Sequence, residues 1–284
     1  MSDCVLAAID GSQFSEGVCD YAAWAAKALD APLRFIHTVD NHARIAEPDL
    51  TGNVGLGTRE HLLETLSEIE EQHAKVSRKQ GRLMLDAAKA RVAALGIEEP
   101  ACLQRNGTLV ETLVENEKEV RLLVVGKRGE TAHQASGHLG SNLERVVREM
   151  HRPILMVPKT FTQPQNVMMA FDGSKTARKG VEMLAKSPLF EGATCHVVIV
   201  GAETAENRSQ LAWATETLEV AGHTAKGAIR AGEVEETLRA YKKEESIDLL
   251  VMGAYGHSRI RHLLVGSTTT QMLRNAQVPV LILR

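Results

Sequence analysis

The feature that most limits what this 284-residue chain can become is that it repeats itself. The stretch VLAAIDGSQFSEGV, Val5–Val18, is echoed by VMMAFDGSKTARKGV, Val167–Val181: an apolar run, then Asp-Gly-Ser, then a helical pattern. NGTLVETLVENEKEVRLLVVGKRG, Asn106–Gly129, is echoed by AGEVEETLRAYKKEESIDLLVMGAYG, Ala231–Gly256. HLGSNLERVVREMHRPILMVP, His138–Pro158, is echoed by LVGSTTTQMLRNAQVPVLIL, Leu264–Leu283. Three blocks recurring in one order mean a duplication, so the chain is expected to fold as two copies of one module. The boundary is read in the polar stretch KTFTQPQ, Lys159–Gln165, which gives modules at 1–159 and 160–284.

Within each half, short apolar runs alternate with helical patterns. The runs are Cys4–Ile9, Leu33–Val39, Ala101–Arg105, Leu122–Val125 and Ile154–Val157, then Val167–Phe171, Cys195–Val200, Thr224–Ile229, Asp248–Met252 and Val278–Leu283. They are rich in Val, Ile and Leu and nearly continuous in hydrophobicity, as parallel strands buried on both faces are. After the first run, Val18, Tyr21, Ala22, Ala25 and Leu29 recur on one helical face. Five strands with four intervening helices per half predict an α/β fold, two doubly wound five-stranded parallel sheets, for which the order 3-2-1-4-5 is taken as a supposition. The first half is longer by about 35 residues, the surplus lying in Asn41–Gln80. NHARIAEPDLTGNVGLG reads as a loop. The apolar positions Leu62, Leu63, Leu66, Ile69 and Val76 then fit an amphipathic surface helix running on toward Leu95, which Gly81 either breaks or weakens.

Composition narrows the function classes. The formal net charge is −3 and the sequence has no Lys/Arg tract, which argues against nucleic-acid and membrane-surface partners. No apolar stretch approaches the ~20 residues that span a bilayer, and no positive n-region precedes the first apolar run. Cys4, Cys19, Cys102 and Cys195 are scattered with no CxxC pair, and read as small buried hydrophobes in a reducing compartment. A cytoplasmic location is the expectation.

Open parallel sheets bind ligands beyond the carboxyl ends of their strands, where strand order reverses. In the order 3-2-1-4-5 that point lies between strands one and four. There Asp10 or Asp172 meets Gly126 or Gly253. The second half continues with Gly256, then nine residues, then Gly266-Ser267, with Thr268 and Thr269 at a helix start running to about Asn275. Glycines let a ligand approach the backbone, and free N–H groups with the helix dipole suit a phosphate. His257, Arg259, Arg261 and His262 lie between and can neutralise a phosphate chain; Asp172 can accept from a ribose hydroxyl or help hold a metal. Each feature has a plainer role: Ser267 or Asp172 as a helix cap, and the histidines as solvated loop residues. It is their convergence that favours a binding site.

Gly253-x2-Gly256-x9-Gly266-Ser267, followed by QVPVLIL, resembles the universal stress protein family, whose ATP-binding members carry Gly-x2-Gly-x9-Gly-Ser/Thr. The resemblance covers both halves and implies a tandem-type member. It implies ATP as the ligand, alone or with Mg, with contacts at Ala170, Asp172, Val200, Met252, Gly253, Gly256, His257, Gly266, Ser267, Thr268 and Thr269. Val200 and Met252 would flank adenine. It also implies pairing of the two modules through their last strands, an intrachain pseudo-dimer, leaving a further homodimer open. The first half departs from the pattern. Gly126-Lys-Arg-Gly129 is followed by ten residues before Gly140-Ser141, and Leu143 and Glu144 stand where the second half has Thr269 and Thr270. Asp10, Gly126, Gly129, Gly140, Ser141 and the basic Lys127 and Arg128 remain as candidates there.

The expectation is an adenine-nucleotide-binding stress-response protein with little or no catalysis. No G-x4-GK[ST] loop is present. DGSQFS and DGSKTA are too short and glycine-poor for an adenylyl-transfer enzyme of this fold class, and no His-x-Gly-His element stands at the right place. The alternatives are a slow ATPase and a scaffold without a ligand.

Overall fold

The computed structural model describes residues 3–39, 56–127, 129, 141–253, 272–273 and 275–283; the side chains of 56–64 and 141 lie outside the description. In the first half, strand β1 (Cys4–Ala8) leads to helix α1 (Ser15–Ala28), β2 (Leu33–Val39), α2 (Leu56–Ala94), β3 (Ala101–Asn106), α3 (Leu109–Asn116), β4 (Val120–Gly126), α4 (Ser141–Glu149) and β5 (Ile154–Val157). The second half runs β6 (Asn166–Ala170), α5 (Lys175–Lys186), β7 (Thr194–Val200), α6 (Ala205–Val220), β8 (Thr224–Arg230), α7 (Val234–Glu244), β9 (Leu249–Gly253) and β10 (Val280–Leu283). The apolar runs all became strands, with ends shifted by one or two residues.

The expected two sheets are one. Ten strands form a single sheet in the order β3-β2-β1-β4-β5-β10-β9-β6-β7-β8, so each half keeps the order 3-2-1-4-5 and the halves meet at their last strands. Every pairing is parallel except that seam, where Val280, Leu281 and Ile282 of β10 run antiparallel to Met156, Leu155 and Ile154 of β5. The seam strands are wholly buried. Each half thus hides from water the apolar edge that it would expose alone, and an exposed edge of that kind invites aggregation.

Helices α1, α2, α5 and α6 cover one face, through Val18, Leu85, Val92, Val181, Leu184 and Leu218 among others. On the opposite face α3, α4 and α7 pack through Val110, Leu113, Val146, Val147, Leu238 and Tyr241. Burial on both faces fails for β3 and β8. As sheet edges they are largely exposed and carry Arg105, Lys226 and Arg230, charges that blunt an edge. Cys102 on β3 is exposed for the same reason, whereas Cys4, Cys19 and Cys195 are buried.

Helix α2 does not break at Gly81. That residue is where the helix meets the sheet: a Cβ there would lie 2.4 Å from Gln104 Nε2 and 2.5 Å from His37 Cδ2. The connection from β5 to β6 is tied down on both sides. Tyr21 of α1 donates its hydroxyl to Thr162 O and accepts from Thr162 N, each at 3.2 Å. The Asp248 carboxylate accepts from the backbone N–H groups of Gln165 and Asn166 at 2.9–3.0 Å.

Candidate functional site

In the second half the strand order turns at β6, which has β9 on one side and β7 on the other. Register aligns Met169 with Val251 and Ala170 with Val198. Ala170 therefore stands level with Met252, and Val200 reaches two residues further along β7. Side chains alternate across a strand, which puts Ala170, Val200 and Met252 on one face of the sheet, where all three pack on the same apolar cluster. Met252 is buried, and Ala170 and Val200 are half-buried. The three form an apolar shelf at the carboxyl ends of neighbouring strands.

The chain leaves β6 through a turn that its own side chains build. Asp172 Oδ1 accepts from Ser174 N at 3.0 Å, and Ser174 Oγ caps α5 by accepting from Ala177 N at 3.1 Å. Between them Gly173 has φ +73°, a conformation that L side chains rarely adopt. Capping thus falls to Ser174, and Asp172 remains exposed at the strand end. Gly253 closes β9 against the first turn of α5: a Cβ on it would touch Thr176 Cγ2 at 3.5 Å. Gly256, His257, Arg259, Arg261, His262, Gly266, Ser267, Thr268 and Thr269 lie outside the described residues, as do Arg128 and Gly140.

The first half repeats the turn with variations. Asp10 Oδ1 accepts from Ser12 N at 3.1 Å, Ser12 Oγ accepts from Phe14 N at 3.3 Å, and Ser15 donates its hydroxyl to Asp10 O. Beyond the end of β4 at Gly126, the chain returns to Asp10: a Cβ on Gly129 would lie 3.0 Å from Asp10 Oδ2. The loops after strands one and four therefore converge in this half. Ser141 opens α4, and Leu143 is buried in the core. Lys127 is turned away from the role of a phosphate-neutralising cation. Its ammonium crosses to the second half and donates to Ala276 O at 2.6 Å. Ala276 N in turn donates to Met272 O, so the lysine meets the carbonyl end of the last helical turn, where a cation is favoured.

One buried polar group escaped the sequence reading. His196 of β7 is fully buried; its Nδ1 lies 3.0 Å from the Tyr241 hydroxyl and its Nε2 has no hydrogen-bond partner. Burial, with Lys226 nearby, holds its pKa below the ordinary histidine value. The only sequence signal was a lone His inside CHVVIV, and its partner is 45 residues away. Nucleophilic chemistry at Cys19 and Cys195 is disfavoured: burial raises the Cys19 thiol to about 12 and the Cys195 thiol to about 11, and a thiol is a weak nucleophile until it ionises.

The universal stress protein family model matches residues 1–158 and again 164–284. A universal stress protein of Synechocystis sp. is 38% identical over 284 residues, spanning 99% of both chains. One from Bacillus subtilis is 31% identical over 156 residues, 54% of this chain and 97% of its own. Among solved structures, a universal stress protein from Archaeoglobus fulgidus superposes with a TM-score of 0.69 at 19% identity, covering 100% of this chain and 97% of its own, a likeness of fold. Two successive family matches and a full-length relative agree with the duplicated sheet: the chain belongs to the universal stress protein family, with two such regions in tandem.

Proposed function

We propose that the half running from residue 160 to 284 is a module that binds ATP or another adenine nucleotide, and that the chain acts as a nucleotide-responsive stress protein with little or no catalysis. The observation that carries this reading is the shelf of Ala170, Val200 and Met252 beside Asp172 and Gly253, at the point where strand order reverses. An adenine ring needs an apolar bed, and a ribose needs an acceptor such as the exposed carboxylate of Asp172. Gly253 ends β9 without a side chain, and the sequence beyond supplies Gly256, His257, Gly266, Ser267, Thr268 and Thr269 for the phosphates. Mg, if it accompanies the nucleotide, would fall to Asp172.

The module from residue 1 to 159 has the weaker claim. Its Asp10 and Gly129 approach each other, but Lys127 is engaged with the other half and Leu143 is committed to the core. A thermal-shift series with ATP, ADP and AMP tests the reading. Ligand at 100 times its Kd should stabilise the fold by about 2.7 kcal/mol. No shift with any of the three leaves the scaffold reading, and turnover near ~1–10² s⁻¹ would make the protein a dedicated enzyme.

A further inference from the structure

Helix α2 belongs to the segment that lengthens the first half, and the nucleotide site makes no use of it. It has 39 residues, about 58 Å at 1.5 Å per residue. Its last part lies on the sheet through Gly81, Leu85, Ala88 and Val92, all buried. Among residues 65–80 no side chain is fully buried and only Leu66, Ala74 and Ser77 are half-buried; on the N-terminal side of Arg78, whose carbonyl accepts from Gln104 Nε2 of β3 at 3.1 Å, the helix forms a largely exposed arm. A solvated arm should be polar all round. This one carries Ile69, Val76 and Leu83, exposed by 45%, 65% and 61%. They stand seven residues apart, and Leu62 continues the same spacing in the sequence. At about 100° per residue, Leu83 and Leu85 point in nearly opposite directions. The helix thus carries two apolar stripes, one spent on its own sheet and one turned away from it.

The charges beside the outer stripe say what covers it. Glu68, Glu70 and Glu71 lie in the first half of the arm, and Lys75, Arg78 and Lys79 in the second. Two such arms laid parallel would set like charges against like. Laid antiparallel about a twofold axis between Gln72 and His73, they set the acidic half of each against the basic half of the other. The same axis places Ile69 opposite the second copy's Val76. Glu68, Lys75 and Lys79 fall on one flank of the stripe, and antiparallel helices bring like flanks together, so Glu68 faces the second copy's Lys75 and Lys79. The stripe, its spacing and its charge order are all self-complementary, as a twofold interface requires.

We infer that the outer stripe of α2 pairs with the same stripe of a second copy of this chain, as an antiparallel two-helix coiled coil. Sedimentation equilibrium of the full chain at micromolar concentration should give twice the 31.0 kDa chain mass. The double variant Ile69→Glu/Val76→Glu should fall to the monomer mass while its far-ultraviolet circular dichroism and melting remain those of a folded chain, since both side chains are exposed. A His73→Cys variant beside the axis should cross-link to its own copy under mild oxidation, and a Leu83→Cys variant should not. A monomeric wild-type chain, a dimer that survives the double variant, or cross-linking through Leu83→Cys instead of His73→Cys would each overturn the inference. None of these readouts depends on nucleotide.

Discussion

Gly17→Ala sets two magnitudes against each other. Gly17 lies in the third position of α1, and in an exposed helix an alanine there would be favoured by about 1 kcal/mol. The structure reverses the sign. A Cβ on Gly17 would lie 2.1 Å from Pro158 O and 2.7 Å from Lys159 O, main-chain atoms of the link between the two halves. Neither can rotate aside, so α1 and the link must separate by about 1.3 Å before carbon and oxygen reach ordinary contact at 3.4 Å or more. Overpacking of that kind costs ~1–3 kcal/mol. The separation also strains the paired hydrogen bonds of Tyr21 with Thr162 and the ring contact of Tyr21 with Phe161, whose centroids are 4.7 Å apart; a net hydrogen bond is worth ~1 kcal/mol. Against the propensity gain, a net loss of about 2 kcal/mol is expected, or roughly 4–8 °C in Tm for a domain of this size. Thermal unfolding of the two chains side by side, followed by circular dichroism, measures it. An unchanged or raised Tm would show that the link does not press on α1, and the account of how the halves are joined would fail.

His196 gives a pH dependence. Its folded pKa is depressed, so below the unfolded value of 6.5 the unfolded chain takes up a proton that the folded chain resists, and stability falls as pH drops through that region. Tyr241, Glu245, Lys226 and Asp248 are the polar groups acting on it, and only the two carboxylates oppose the effect. Denaturant unfolding at pH 5 and 7.5 should show a stability difference that shrinks in His196→Phe; an identical difference in the variant would refute the assignment. Arg91 of α2 holds Asp20 of α1 through two hydrogen bonds at 2.7 and 2.8 Å, with Glu16 at 3.1 Å. The guanidinium is partly solvated, so Arg91→Ala should cost only about 1 kcal/mol, measured as a shift in urea midpoint, and much of that should vanish at high salt. The α2 arm predicts a concentration-dependent dimer that Ile69→Glu/Val76→Glu abolishes.

The strands were legible because each is a short Val/Ile/Leu run and because the blocks repeat; their order was a supposition that the structure bears out within each half. That the runs Ile154–Val157 and Val278–Leu283 would adjoin was implied by the family resemblance, and the seam of β5 and β10 agrees. Composition cannot show which strands end up at the rim: Ala101–Asn106 and Thr224–Arg230 are moderately apolar in sequence, and only their place in the order exposes them and Cys102. Gly81 was ambiguous because local propensity records the cost of a glycine in a helix but not the His37 and Gln104 side chains that require one. On the candidate site, Asp172 and Gly253 followed from the supposed strand order, whereas Ala170, Val200 and Met252 came from the family resemblance. The reach of Lys127 to Ala276 and the pairing of His196 with Tyr241 join residues 149 and 45 positions apart, and no local pattern records such a contact.

Calorimetric titration of the full chain with ATP, set beside the Gly266→Asp and Gly140→Asp variants, tests nucleotide binding by the second half most directly. A saturable heat that Gly266→Asp abolishes and Gly140→Asp leaves in place is the predicted result. No heat with ATP, ADP or AMP, or binding that persists undiminished in Gly266→Asp, would contradict it.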